Sequence, residues 1–309
     1  MKSLTVTAPA TVANLACGYD LLGLAVDSPV DTISIEQNDI GKIRILSIEC
    51  PDGDLPFDPK LNTAGIALAS FIESEGIDIG LDLTIEKGIP LSGGMGSSAA
   101  SAVGAIFAAE QMFGSGQSMT ELLSHALKAE MAVSGAGHAD NAGPCLFGGI
   151  TLVRSYSPLE IVPIHTDLNL YITLANPDTK VRTKEARSLI PDNIPLSISI
   201  AQSGNLAGLI NGLHTSDTDM ISRSMQDYIA EPARAKLIPG YEHVKSQALS
   251  RGALACNISG SGPTVFALSS SLDTAEAVRE AMSQAFTDHG GVSSNLYISK
   301  INTDGPRVL

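Results

Sequence analysis

One segment constrains this chain more than any other. Pro90-Leu-Ser-Gly-Gly-Met-Gly-Ser-Ser-Ala-Ala100 lies between a stretch with strand alternation, 81–86, and a strongly helical run, 99–113. Glycines let the backbone bend there with its N–H groups turned inward. The helix that follows adds unsatisfied N–H groups and the positive end of its dipole. Small serines permit close approach and bring hydroxyls suited to phosphate or Mg2+. On local signals alone, a Gly/Ser linker with an ordinary helix cap is the plain alternative. Two other phosphate motifs do not fit. No G-x-x-x-x-G-K-[ST] segment occurs. Gly94-x-Gly96-x-x-Ala99 meets the dinucleotide pattern loosely, but its helix leads into another helix, not a second strand carrying an acid.

Composition narrows what such a loop can meet. Lys and Arg number 19 against 33 Asp and Glu, a net charge of −14, and there is no Trp in an aromatic fraction of 4%. Broad electrostatic binding of nucleic acid or anionic membrane is therefore disfavoured, as is stacking of single strands on aromatics. A phosphate-bearing substrate needs a local site of backbone N–H groups, a metal and a few placed cations. Cys17, Cys50, Cys145 and Cys256 form no C-x-x-C. Free thiols in a reducing cytoplasm are expected. The N-terminal residues lack the long apolar run of a signal peptide, and no run of eighteen apolar residues predicts a membrane span.

Along the chain, strand patterns fall at 30–36, 42–48, 81–86, 148–153, 168–175, 254–258, 264–268 and 294–301. Helical patterns fall at 62–75, 99–113, 184–190 and 274–286, and over 197–229, where Gly and Asp interrupt them. Ser118-Met-Thr-Glu121 is a capping box and starts a helix running to about 134. Strands and helices mix in both halves without regular alternation, which predicts an α+β fold. Prolines cluster at 155–163, so a boundary is drawn there, dividing 1–158 from 159–309.

Two further segments carry chemistry. Glu130 sits late on a helix that the glycines of Gly135-Ala-Gly-His-Ala-Asp-Asn-Ala-Gly-Pro144 break, leaving His138, Asp140 and Asn141 on an irregular stretch. Capping and loop solvation would also account for such residues. Asn257-Ile-Ser-Gly-Ser-Gly-Pro-Thr264 reads locally as a Gly/Ser hairpin turn.

Together these segments resemble the GHMP kinase superfamily. Its Gly-Leu-Gly-Ser-Ser-Ala pattern stands here as Gly94-Met95-Gly96-Ser97-Ser98-Ala99, preceded by Pro90, and its closing motif as Ser259-Gly-Ser-Gly-Pro-Thr264. The resemblance extends to the homoserine-phosphorylating branch through Ala13-Asn14-Leu15, Gly18-Tyr19-Asp20, His138-Ala-Asp140-Asn141, Thr183-Lys-Glu-Ala-Arg187 and Glu231-Pro-Ala-Arg234. Cys17, where proline is usual, and Tyr19, where phenylalanine is common, depart from the pattern. No Lys or Arg lies between Lys2 and Lys42, which argues against a mevalonate-kinase-like site.

The resemblance implies a two-domain GHMP fold. One domain would be ribosomal-protein-like with a left-handed β-α-β unit, the other ferredoxin-like, with the site between them. It implies ATP-dependent, Mg2+-dependent phosphorylation of the hydroxyl of L-homoserine, early in threonine synthesis. Pro90, Ser92, Gly93, Gly94, Met95, Gly96, Ser97 and Ser98 would hold ATP, and Ser98 and Glu130 the metal. Arg187 and Arg234 would read the substrate carboxylate and Asp20 its ammonium, with Asn14, His138, Thr183 and Gly260 completing the pocket. Asn141 is expected to orient the reacting hydroxyl. Asp140 is either a general base or a support for the loop and the tilt of His138, the support role being expected. A homodimer is an expectation of the resemblance alone. Two other readings stand beside this one: a different small-molecule kinase of the superfamily, such as a shikimate-type enzyme, and a sensor of the same fold without catalysis.

Overall fold

The computed structural model describes residues 2–309. Its first sheet is organised around β1 (Ser3–Ala13) and β2 (Leu22–Asn38), which pair antiparallel with Val6 opposite Ile33. β2 is long enough to serve three neighbours. Its second half also pairs with β4 (Gly80–Glu86), and its first residues pair with β5 (Ile150–Tyr156). The sequence pattern shows only that second half. Residues 22–26 are buried throughout, so polar alternation is absent there. β3 (Ile43–Glu49) lies parallel to β4 with Ile45 opposite Leu83, and α1 (Thr63–Glu75) makes the crossover between them. Asn62 caps α1 by accepting from the Ala64 N–H, and Gly76 closes it in a left-handed conformation.

α2 (Ser97–Phe113) and α3 (Met119–Ser134) follow, the latter with the expected capping box of Ser118 and Glu121. Alanines line α2 from Ala99 to Ala109, so it lies close against the sheet, and most of it is buried. With Phe71 and Leu68 of α1, Ile33 and Ile35 of β2, and Leu81, Leu83 and Ile85 of β4, it forms the main core. The stretch expected to be irregular around residue 140 is instead a helix, α4 (Ala139–Phe147). Gly135, Gly137 and Pro144 mask it in the sequence. Yet Pro144 sits six residues in, and the helix is short and packed against β1 and β2, so tertiary contacts outweigh local preference.

β5 turns into β6 (Leu159–Ile164), with Leu152 opposite Val162. The sequence-based cut after residue 158 therefore falls inside a hairpin. Strand pairing keeps β6 on the first sheet, and the chain leaves it only between Ile164 and Tyr171. The second sheet starts with β7 (Tyr171–Pro177). Then come α5 (Thr183–Ser188), α6 (Leu196–Thr215), α7 (Thr218–Ser224), α8 (Ala230–Arg234) and α9 (Tyr241–Ser250). β8 (Ala255–Ile258), β9 (Val265–Ser269), α10 (Leu272–Ala285) and β10 (Ser294–Lys300) complete the unit. The helical stretch expected over 197–229 divides at Ser216, whose φ is +58°, and Asp217 caps α7. The sheet order is β10-β7-β9-β8, antiparallel throughout, which is the ferredoxin-like order. α9 and α10 bury Tyr241, Val244, Val278 and Met282 against it. β11 (Arg307–Val308) returns to pair with β1, stitching the chain end to the first sheet.

Candidate active site

The Gly/Ser segment forms the wall of a cleft of about 180 Å³. Its carbonyls are taken by neighbouring segments. Gly93 C=O accepts from the Thr264 N–H at 3.1 Å, Gly94 C=O from the Ser259 hydroxyl at 2.7 Å, and Met95 C=O from the Thr11 N–H at 3.1 Å. No N–H of Gly93 to Ala99 donates to another protein atom among the described residues. Gly96 caps α2 without any side-chain bond, so the first turn of that helix is unsatisfied too. The result is an anion cradle made of backbone, with the helix dipole behind it. Two glycines are required by space as well as angle. A Cβ on Gly94 (φ +77°) would stand 2.4 Å from the Ser259 carbonyl oxygen, and one on Gly96 (φ +69°) 2.1 Å from the Thr11 hydroxyl. Pro90 and Met95 do not reach the cleft. Both are buried, Met95 among the core residues, because an apolar side chain at the tip of a polar loop is more stable turned inward.

The closing Gly/Ser turn fits against this loop and against the segment after β1. Gly260 N–H donates to Ala13 C=O at 3.2 Å, and Gly260 C=O accepts from Asn14 Nδ2 at 3.0 Å and Arg234 Nη1 at 2.8 Å. Asn14, Leu15 and Ala16 are consecutive residues with positive φ, as is Asp20. For side chains larger than glycine this costs free energy, and such strain concentrates where a chain must present groups to a site. Asn14 Oδ1 accepts from the Asp20 N–H at 3.0 Å and holds the turn that presents the Asp20 carboxylate.

Three polar centres line the same cleft. At the first, the Ser98 hydroxyl donates to Glu130 Oε1, and His138 Nδ1 lies 3.6 Å from Glu130 Oε2. Glu130 holds the His138 imidazolium above the usual histidine range, against the effect of burial. A hydroxyl and a carboxylate side by side are hard oxygen donors suited to Mg2+, which would need phosphate or water for the rest of its ligands. No group of three or more His, Cys, Asp or Glu suited to a metal occurs among the described residues, so an all-protein cage is not on offer.

At the second centre stand Asp140 and Asn141 on the first turn of α4. Asn141 Oδ1 accepts from the Thr11 hydroxyl at 2.9 Å, which fixes the amide so that its Nδ2 is the remaining donor. Asp140 is buried, and its Oδ1 has no hydrogen-bond partner. Burial first, and then the charge of Asp20, push its carboxyl up to about 7. The support expected of Asp140 is not made by hydrogen bonds, because His138 turns to Glu130 instead.

The third centre is cationic. Arg187 grips Asp20 through two bonds, Nη2 to Oδ2 at 2.6 Å and Nη1 to Oδ1 at 3.3 Å. Arg234 is buried, and its guanidinium lies 5.2 Å from the Tyr19 ring centroid while Arg187 lies 6.0 Å away. Tyr19 thus separates two like charges with a π face open to both. The Thr183 and Ser261 hydroxyls meet at 3.5 Å on the rim. Sequence reasoning placed most of these residues on the cleft but missed Thr11, Tyr19 as a spacer, and Lys87 with Asp31 behind the loop. Thr11 sits inside an ordinary strand, and Lys87 reads as a strand-end lysine, so neither carries a local signal.

A parallel-crossover sheet, a ferredoxin-like unit and a glycine cradle whose Ser98 meets the Glu130 carboxylate define an ATP-dependent small-molecule kinase. Residues 62–149 match the family described as GHMP kinases N terminal domain, and residues 209–288 match GHMP kinases C terminal. The homoserine kinase of Chlorobaculum tepidum is 45% identical over 100% of this chain and 99% of its own length. The crystal structure of homoserine kinase from Cytophaga hutchinsonii has a TM-score of 0.97 at 46% identity, covering 100% of this chain and 98% of that one. Mevalonate kinase of L. major shares the fold alone, with a TM-score of 0.74 at 14% identity over 97% of this chain and 96% of its own. The chain belongs to the GHMP kinase family, in its homoserine kinase branch.

Proposed function

We propose that the cleft transfers the γ-phosphoryl group of ATP to the hydroxyl of L-homoserine, giving O-phospho-L-homoserine and ADP, a step that serves threonine synthesis. One observation carries the substrate: Asp20, Asp140, Arg187 and Arg234 line one cleft, so carboxylates for an ammonium and guanidinium groups for a carboxylate stand together beside a backbone anion cradle, as a small zwitterion requires. The N–H groups of Gly93 to Ala99 hold the nucleotide phosphates. Ser98 and Glu130 would hold Mg2+, which neutralises charge on the phosphates when bound. The carboxylate of homoserine takes Arg187 from Asp20 and meets Arg234. The ammonium takes Asp20 and the lone Oδ1 of Asp140. Two neighbouring carboxylates that raise the pKa of one of them form a place where a cation is stabilising.

This gives Asp140 a binding role and leaves Asn141 Nδ2 to orient the hydroxyl. In a loose transition state the attacking oxygen gains little charge before the phosphoryl group arrives, so its proton can pass to the transferred phosphate without a protein base. The four free cysteines fit a cytoplasmic enzyme.

The test is ADP release with L-homoserine, shikimate and mevalonate in parallel. Homoserine alone should support turnover, and only with Mg2+. Ser98→Ala and Glu130→Gln should each lower kcat by about a hundredfold, partly restored by high Mg2+. Turnover with shikimate or mevalonate but not homoserine overturns the substrate. ATP and homoserine binding without turnover would make the protein a sensor.

A further inference from the structure

We propose that Lys87 and Asp31 are positioning residues that cinch the neck of the phosphate loop from behind, so that nucleotide affinity depends on an ion pair the nucleotide never touches. Lys87 follows directly after β4, and Asp31 lies on β2. Their side chains are 1% and 0% exposed. The Lys87 ammonium donates to Asp31 Oδ2, to the Ser97 carbonyl at 2.8 Å and to the Ser101 hydroxyl at 2.8 Å. All three of its donors are used. The other oxygen of Asp31, Oδ1, accepts from the N–H groups of Gly88 at 3.1 Å and Ile89 at 3.0 Å. The Ser97 hydroxyl then donates to the Ile89 carbonyl at 3.1 Å. Residue 89 precedes the bend of the Gly/Ser segment and residue 97 follows it, so these bonds close the neck of that bend into a ring.

Neither helix electrostatics nor folding stability accounts for the pair. A cation at a helix N-terminus sits at the unfavourable end of the dipole, so α2 does not gain from Lys87 electrostatically. A buried ion pair contributes little or nothing to stability relative to apolar residues of the same volume. What the pair does supply is geometry: it fixes the Ser97 carbonyl and the turn at Ile89 relative to one another. That sets where the N–H groups of the intervening loop point and where Ser98 stands against Glu130.

The inference rests on the proposed nucleotide site, and the experiment separates the two. The double variant Asp31→Asn with Lys87→Met removes both charges together, so no lone charge is left buried. Melting, calorimetric binding of a non-hydrolysable ATP analogue with Mg2+, and KM values for both substrates are measured on it. Expected are a melting temperature near wild type, nucleotide binding weakened about tenfold, and a homoserine KM within about twofold of wild type. Should the double variant not melt cooperatively, Ser101→Ala keeps both charges and removes one acceptor of the ammonium. It should weaken the nucleotide about threefold with homoserine unchanged. A variant that melts and binds nucleotide as wild type overturns the proposal, as do equal losses for both substrates. Wild-type protein that fails to bind the analogue overturns the nucleotide site itself.

Discussion

Two ion pairs stand at the cleft, and they differ in almost every physical respect. Lys87 and Asp31 are sealed behind the phosphate loop, with every donor of the ammonium occupied. Arg187 and Asp20 meet at 2.6 Å on the open side, with side chains 46% and 28% exposed. In the first, both charges are committed to backbone groups that must not move. In the second, water can replace either partner at small cost, so a ligand that brings one carboxylate and one ammonium can exchange with both. A kinase of this kind therefore prepares its two substrates differently. On the proposed site, the nucleotide would meet a surface set in advance, and the amino acid would meet charges that are stored on one another until it arrives.

The two pairs should part most sharply on stability. Lys87→Met alone should cost about 3–5 kcal/mol, because it leaves Asp31 buried without a partner, and should lower the melting temperature by roughly 10 °C. Asp20→Asn should cost no more than about 1 kcal/mol. Equal melting shifts for the two variants would erase the distinction. On activity the order reverses toward homoserine. Arg187→Ala and Arg234→Ala should each lower kcat/KM for homoserine about tenfold to a hundredfold, and lysine should rescue poorly because it lacks the planar fork. Homoserine amide sharpens this assignment. If the arginine variants lose as much activity on the amide as on the acid, the contact is not with the carboxylate.

A smaller effect tests the carboxylate beside the exposed pair. Asp140→Asn should raise the KM for homoserine about tenfold while kcat falls about tenfold or less. A proton acceptor would instead cost about 10²–10⁴ in kcat with KM unchanged. Because the Asp140 carboxyl titrates up near 7, kcat/KM for homoserine should rise with pH through that region as the carboxylate forms. A last effect is on the stability of the free protein. The folded state favours protonated Asp140, whose ordinary value is 3.8. Its contribution is fully present below about 4 and is lost as pH rises toward and through about 7. Asp140→Asn should therefore melt like wild type near pH 4 and be more stable than wild type at pH 8. A variant less stable than wild type at pH 8 contradicts a strained, unpartnered carboxylate.

The cradle was legible because its chemistry is local. Gly94, Gly96, Ser97 and Ser98 are adjacent, and the strand before them and helix after them have strong periodicity. Glu130 and the His138 to Asn141 segment were legible as residue types, but α4 was not, because glycines and Pro144 speak against a helix that packing against the sheet nonetheless stabilises. The hairpin of β5 and β6 was hidden in the same way: its prolines resembled a linker, and only pairing with β5 makes Leu159–Ile164 a strand.

What the sequence by itself determined is the set of parts: an acidic α+β chain with a Gly/Ser loop between strand and helix and a reserve of two arginines and several carboxylates. Those follow from composition, periodicity and neighbouring residues. Only the tertiary structure decided how the parts engage. Arg187 and Asp20 lie 167 positions apart, and Lys87 and Asp31 lie 56 apart. Whether such a pair is sealed or open depends on which strands and helices close over it. Burial sets the cost of a lone charge and so decides which pair is sealed scaffold and which stays open to exchange with solvent. That quantity belongs to the packed molecule and has no counterpart in the order of its residues.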